Sequence, residues 1–247
     1  MTSASVGIIG GTGALDLFES HESAALTTPF GPPSARPVRI DLDGRPAWFL
    51  ARHGRPHRIP PHRVNYRANL HALRTLGCTR VVAISAVGAV DPTLENGALV
   101  AVDQLIDYTW GRAHTFSDGG SAPLRHVEFE KPYDGAVRRA LIEAASELGE
   151  PLVAEGCYGA TQGPRLETAA EIVRLARDGC TVVGMTGMPE AGLAREIAMD
   201  YANLCVVANA AAGIADSPIS EEEIHRVLAS AMQRVRRLLV AAVARID

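Results

Sequence analysis

Two stretches of this chain are apolar at consecutive positions rather than alternate ones. SVGIIG (5–10) and RVVAISAVGAV (80–90) are rich in valine and isoleucine, and each runs into glycine or a glycine turn. Successive side chains of a strand point to opposite faces, so a strand apolar throughout has to be covered on both. That demands helices on each side of a sheet, and the chain supplies them. Helices are expected at 64–77, 132–149, 168–179, 189–199 and 220–246, the last opened by Ser220 as N-cap and by acids in its first turn. Further strands are expected at 36–51 (a hairpin about Asp43-Gly44), 98–109, 152–161, 181–185 and 201–213. The polar, Gly/Pro-rich run from Gly111 to Pro132 is a long loop. This order predicts one α/β domain over residues 1–247, with a mostly parallel sheet flanked by helices.

Bulk properties narrow the function classes. A formal charge of -4 with 21% charged residues does not describe a general binder of nucleic acid or membrane surfaces. No apolar run approaches the roughly 20 residues that cross a bilayer. The start, MTSASVGIIG, lacks a basic leader and enters a strand at once, so a cytoplasmic protein is expected. Cys78, Cys157, Cys180 and Cys205 form no CxxC pair and sit in or beside apolar segments, as free thiols do.

Against that acidic background, residues 52–63 read RHGRPHRIPPHR, with four arginines, three histidines and no acid. Three histidines suggest a metal, but no carboxylate or thiol lies among them and the arginines repel a cation. Nucleic acid calls for charge spread over a wider face and aromatic platforms, and only 5% of the chain is aromatic. A small anion fits best. Arg52 follows the apolar run AWFLA, so it stands at a strand end, where α/β proteins bind ligands, and arginine suits phosphate. A solvated basic loop remains the alternative.

Other strand ends carry polar groups. GIIGGTGALD (7–16) offers backbone N–H groups and Thr12 to an anion, although Asp16 stands where a dinucleotide fingerprint needs its third glycine, and a plain tight turn reads equally well. SAVGAV (85–90) ends a strand with small residues, where Ser85 and the backbone N–H groups after it could receive a phosphate or a sugar, a close-packed turn being the alternative. Glu167 in GATQGPRLET precedes a helix that does not need it there, although a carboxylate at a helix start also serves the helix dipole. Met185-Thr186 ends a buried strand, and Asn209 ends the apolar strand LCVVA, either facing a ligand or capping the following turn.

Taken together, GIIGGTG, ARHGRPHRIPPHRVNYRAN, GPRLET, GMTGMPEA and the strand ending at Asn209 resemble the nucleoside phosphorylase family, in its trimeric branch. The resemblance runs nearly end to end. It implies a distorted mixed sheet flanked by helices, and phosphorolysis of an N-glycosidic bond with inorganic phosphate as co-substrate and no metal or other cofactor. It implies that Thr12, Arg52, His53, Ser85, Thr186 and the backbone at Ala86 hold the phosphate, with His57 and the rest of the basic string supporting the loop. Met185 would lie under the ribose, and Leu166, Glu167 and Asn209 at the purine. Glu167 and Asn209 would serve catalysis. His126, in RHVEFEKPY, matches a histidine lent to a neighbour's 5′ site, which implies a homotrimer with shared active sites.

Family members that cleave methylthioadenosine carry a pair of aspartates at the purine strand end. This chain has Asn209-Ala210-Ala211 there. An amide can donate to a carbonyl at purine C6 and accept from N7–H, and a carboxylate can accept from N1–H, which adenine lacks. A 6-oxopurine is therefore expected. At the 5′ end, EEEIHRVLAS puts Ile224 at the contact position and His225 one step round the helix, so the pattern most resembles the members acting on methylthioinosine. Methylthioadenosine or ordinary inosine and guanosine phosphorolysis are the alternatives, with a non-catalytic nucleotide-binding protein as the second.

Overall fold

The computed structural model of the chain describes residues 5–14, 17–18, 20–119, 124–215 and 220–246. Asp16, which breaks the dinucleotide pattern, lies outside them. In chain order the elements are β1 (Ser5–Gly10), β2 (Ser20–Ser23), β3 (Val38–Leu42), β4 (Arg45–Ala51), α1 (Tyr66–Thr75), β5 (Cys78–Ala89), β6 (Leu99–Ala101), β7 (Gln104–Asp107), α2 (Ala136–Leu148), β8 (Leu152–Val153), β9 (Cys157–Ala160), α3 (Ala169–Arg177), β10 (Val182–Gly184), α4 (Gly187–Glu196), β11 (Asp200–Ala210) and α5 (Glu221–Val243). No helix of the described residues is long and apolar enough to cross a membrane.

All the described strands join one mixed sheet. Its centre is β5, whose covered faces follow from its sequence. Val82 and Ile84 point to a cluster built with Leu141 of α2 and Leu228, Val235 and Leu239 of α5. Val81 and Ala83 point the other way, to a cluster with Leu70 and Leu73 of α1 and Leu193 of α4. Each fully buried valine, leucine or isoleucine among them contributes about 1.5–3 kcal/mol, so the alternation along one strand holds both helical layers.

The pairing of β5 also opens a gap. One edge runs parallel to β11 from Arg80 to Ala89. The other is parallel to β1 only as far as Ile84, and antiparallel to β10 at Gly88 and Ala89. Residues 85–87 therefore have no strand on that edge among the described residues.

The sequence reading needs correction in three places. The run 98–109 is two strands: β6 pairs with β11, and β7 pairs with β9. The run 152–161 is likewise two, β8 beside β6 and β9 between β7 and β10, separated by residues 154–156. Continuous apolar stretches do not reveal where a chain changes neighbours. Strand β2 was not expected at all, because SHES carries no apolar alternation.

Candidate active site

Two parallel strands, β1 and β4, end beside the point where β5 loses its neighbour on that edge. Gly10 of β1 lies beside Ala51 of β4 and Ile84 of β5. Gly11-Thr12 and Arg52 leave the sheet there, next to Ser85, which stays inside β5 opposite Cys205 and is not at the strand end that the sequence suggested. They border a cavity of about 500 Å3, within the usual range for small-molecule sites. Gly11 has to be glycine here, because a Cβ would come within 2.9 Å of Arg52 Nη1.

At this end of the cavity the polar groups suit an anion. Thr12, Arg52, His53, Ser85, Ala86 and Thr186 all line it. Ser85 is 2% exposed and its Oγ has no hydrogen-bond partner, which a buried hydroxyl rarely tolerates unless a ligand or water completes it. His53 Nδ1 is 2.8 Å from the Ile59 carbonyl, so Nδ1 carries the hydrogen and Nε2 is left as an acceptor. Burial, and then the charge of Arg52, push the imidazole down to about 4, so it is neutral near pH 7. His57 stacks on it, with ring centroids 4.5 Å apart, and lines the same cavity. Its ring is thus part of the wall and not only a loop support.

Arg52 is arranged differently from the sequence expectation. It is 1% exposed, and its Nε and Nη2 donate to Glu190 Oε2 and Oε1, each at 2.8 Å. Nη1 donates to the Ile84 carbonyl at 3.0 Å. Burial disfavours the charge, but Glu190 overrides it and holds the guanidinium well above its usual pKa. The Nε/Nη2 edge of Arg52 is thus occupied by Glu190, which leaves the terminal Nη edge as the one with hydrogens to spare. Tyr201 completes the arrangement, its hydroxyl donating to Glu190 Oε1 at 2.8 Å.

The opposite end is suited to a flat polar ring. Leu166, Glu167, Met185 and Asn209 line it, with Gly88, Val183 and Ala211 as apolar neighbours. The register shift in β11 between Val207 and Asn209 brings Asn209 opposite Gly88. One amide hydrogen of Asn209 goes to the Ala210 carbonyl at 2.7 Å, which is the turn-capping contact. The other hydrogen and Oδ1 remain for a ligand. Helix α3 is capped by Thr168 with Glu171 in a reciprocal box, so Glu167 has no capping duty.

At the 5′ end the structure separates two candidates. Ile224, in the first turn of α5, lines the cavity. His225 is exposed and does not, because neighbours in a helix point about 100° apart. His225 is therefore withdrawn from the site. His126 is exposed and lies outside this cavity of its own chain. Sequence reading missed Glu190, Tyr201 and Arg112. Glu190 had a faint signal, an acid in the otherwise small and apolar GMPEAGLA; Arg112, in a polar loop, had none.

A family model described as the phosphorylase superfamily matches residues 5–244. The chain belongs to the phosphorylase superfamily. It is 52% identical over 221 residues to a probable S-methyl-5'-thioinosine phosphorylase of Xanthomonas campestris, covering 87% of each chain. It is 42% identical over 244 residues to the 6-oxopurine nucleoside phosphorylase of Pyrococcus furiosus, covering 96% of this chain and 91% of that one. Among solved structures, methylthioadenosine phosphorylase from Schistosoma mansoni in complex with adenine superposes with a TM-score of 0.92 at 32% identity, over 98% of this chain and 91% of that one. Relatives named for either kind of purine lie at similar identity, since S-methyl-5'-thioadenosine phosphorylase of Pyrococcus abyssi is 41% identical over 242 residues, or 98% of this chain.

Proposed function

We propose that this chain is a phosphorylase that cleaves methylthioinosine to hypoxanthine and 5-methylthioribose 1-phosphate. The observation that carries this reading is a single cavity lined by Ser85, Arg52 and Thr186 together with Glu167 and Asn209. The resemblance to the Xanthomonas and Pyrococcus proteins supports it.

The chemistry follows from the groups present. A phosphate oxygen attacks C1′ of the ribose while the C1′–N9 bond breaks and the purine leaves with the bonding electrons. The sugar gains positive charge as in an oxocarbenium ion, and the base gains negative charge. The anion beneath the sugar stabilises the first, and hydrogen bonds at the base stabilise the second. Asn209 donates to the C6 carbonyl through its spare amide hydrogen, and its Oδ1 accepts from N7–H once the departing base, carrying the C1′–N9 electrons, has taken a proton from water at N7. Glu167 accepts from N1–H. Thr12, His53, Ser85 and Thr186, the Ala86 backbone and the terminal edge of Arg52 hold the phosphate. Met185 underlies the ribose and Leu166 flanks the base. Ile224 offers the 5′ substituent an apolar contact. Phosphate is a co-substrate, and no step requires a metal or other cofactor. His126 is read as a residue lent to a neighbouring copy in a homotrimer.

The test is phosphate-dependent base release, as kcat/KM, from methylthioinosine, methylthioadenosine and inosine side by side. Preference for methylthioinosine supports the reading at both ends of the substrate. Preference for inosine keeps the purine assignment and overturns the 5′ one. Preference for methylthioadenosine overturns the purine assignment.

A further inference from the structure

Strands β9 and β10 pair only as far as Ala160 and Gly184. Beyond that line the two chains part, one toward Glu167 and the other toward Met185. Parting strands leave carbonyls without a ladder partner, and those groups have to be satisfied. Arg112 takes them. Its Nη2 donates to the carbonyls of Thr161 and Gln162 at 3.2 and 2.9 Å, and its Nη1 to those of Met185 and Met188 at 2.8 and 2.6 Å. Only 8% of Arg112 is exposed.

Thr161 is consequently held on both sides of its backbone. Its N–H donates to the Gly184 carbonyl at 2.8 Å and its own carbonyl accepts from Arg112. The hydroxyl has one hydrogen. It lies 2.6 Å from Glu167 Oε1 and 3.4 Å from the Gly184 carbonyl, so the hydrogen goes to the carboxylate. Thr161 is not in the wall of the substrate cavity. It lines a second cavity of about 470 Å3, and Glu167 belongs to both walls. The bond therefore reaches the carboxylate from the side away from the substrate.

We propose that Thr161, clamped by Arg112, anchors one oxygen of Glu167 so that the other is aimed at the base, and thereby sets the preference for a purine with hydrogen on N1. Thr161 is a positioning residue in this role and touches no substrate. The proposal rests on the reading of Glu167 as the group that faces the base. A carboxyl group free to turn can meet either an N1–H or a bare N1 through a change of rotamer or proton. One pinned as an acceptor accommodates N1–H and opposes the lone pair of adenine N1. Mismatches of that kind discriminate far more strongly than a missing methylene.

The experiment compares wild type with Thr161→Val, which exchanges the hydroxyl for a methyl group, and Thr161→Ser, which keeps it. kcat/KM is measured for methylthioinosine and methylthioadenosine, with the phosphate KM alongside. The expected result for Thr161→Val is a loss of roughly tenfold on methylthioinosine, about what one charge-assisted hydrogen bond is worth, and a change under about twofold on methylthioadenosine. The ratio of the two then falls about tenfold, Thr161→Ser restores it, and the phosphate KM does not move. Equal losses on both substrates, or an unchanged ratio, would overturn the proposal while leaving the reading of Glu167 intact. A wild type with no preference for methylthioinosine would overturn both. Should Thr161→Val fail to fold, Thr161→Ala removes the same hydroxyl without adding a branch and is read by the same ratio.

Discussion

Arg52 and Glu190 face each other through two parallel hydrogen bonds of 2.8 Å, in a place where neither side chain is more than 1% exposed. Tyr201 donates to the same carboxylate, and the Ile84 carbonyl takes Nη1. The arginine next to the proposed phosphate is therefore immobile before any ligand arrives. Orientation fixed in advance costs nothing at the moment of reaction. Glu190→Ala leaves the Arg52 charge buried without a partner, and breaking such a pair costs about 3–5 kcal/mol. The expected outcome is a fall of that size in denaturant-unfolding free energy, together with a raised phosphate KM. Glu190→Gln keeps the shape but only one acceptor and no charge, so it should recover part of the stability and less of the phosphate affinity. A phosphate KM unmoved in both variants would mean that Arg52 needs no aiming.

The acid limit of the protein should be set in part by His53. Burial and the Arg52 charge lower its pKa to about 4, against 6.5 in the unfolded chain. The unfolded chain thus takes up the proton first. The contribution is fully present above pH 6.5 and is lost as the pH falls through the folded value near 4. The total is on the order of 3 kcal/mol, and His57, also lowered by burial, adds in the same direction. Urea unfolding at a series of pH values should give a stability that drops between about pH 6.5 and 4, with a shallower drop in His53→Gln. Equal slopes in the two proteins would assign the acid sensitivity elsewhere.

How much of this was legible beforehand differs from element to element. The apolar runs of β1 and β5 announced a covered sheet, because nothing else buries both faces of a strand. Thr12, Arg52, Ser85 and Thr186 were legible as a set only through the family resemblance; taken singly, the sequence showed a polar group at an expected strand end, and Ser85 lies inside β5 instead. Glu190 was not, since its partner is 138 residues away and an acid in a helix ordinarily reads as surface. Arg112 and Thr161 were hidden for a related reason: one satisfies carbonyls, which have no residue type, and the other uses a hydroxyl whose target depends on where two strands diverge. The choice between Ile224 and His225 turned on one residue of helix phase, finer than an ungapped sequence comparison resolves.

Gly135 offers a control outside the site. It precedes α2, and Asp200 at the start of β11 places its carboxylate there, accepting from Val137 N–H at 3.2 Å. An acid from another strand thus serves the positive end of the helix. A Cβ at position 135 would overlap Asp200 Oδ1. Gly135→Ala should displace the carboxylate and destabilise the fold by about 1–3 kcal/mol, seen as a lower Tm. At temperatures where the variant is folded, kcat/KM should match wild type. Reduced kcat/KM in fully folded protein would indicate that α2 communicates with the cavity.

Ile224 provides the sharpest test of the 5′ assignment. Its side chain lines the cavity from the first turn of α5, where Ser220 caps the helix by accepting from Glu223 N–H at 3.3 Å. The helix register is therefore fixed where it meets the site. An aliphatic contact favours a methylthio group over a hydroxyl by about the worth of one buried methylene, near 0.8 kcal/mol, plus the cost of leaving a hydroxyl without a partner. Ile224→His removes the first and supplies the second. The ratio of kcat/KM for methylthioinosine over inosine should fall by roughly tenfold or more, mainly through KM, because the 5′ group lies away from the bond being broken. His225→Ala, one step round the helix and exposed, should leave that ratio unchanged. A shift in His225→Ala with none in Ile224→His would reverse the assignment and require α5 to turn when substrate binds.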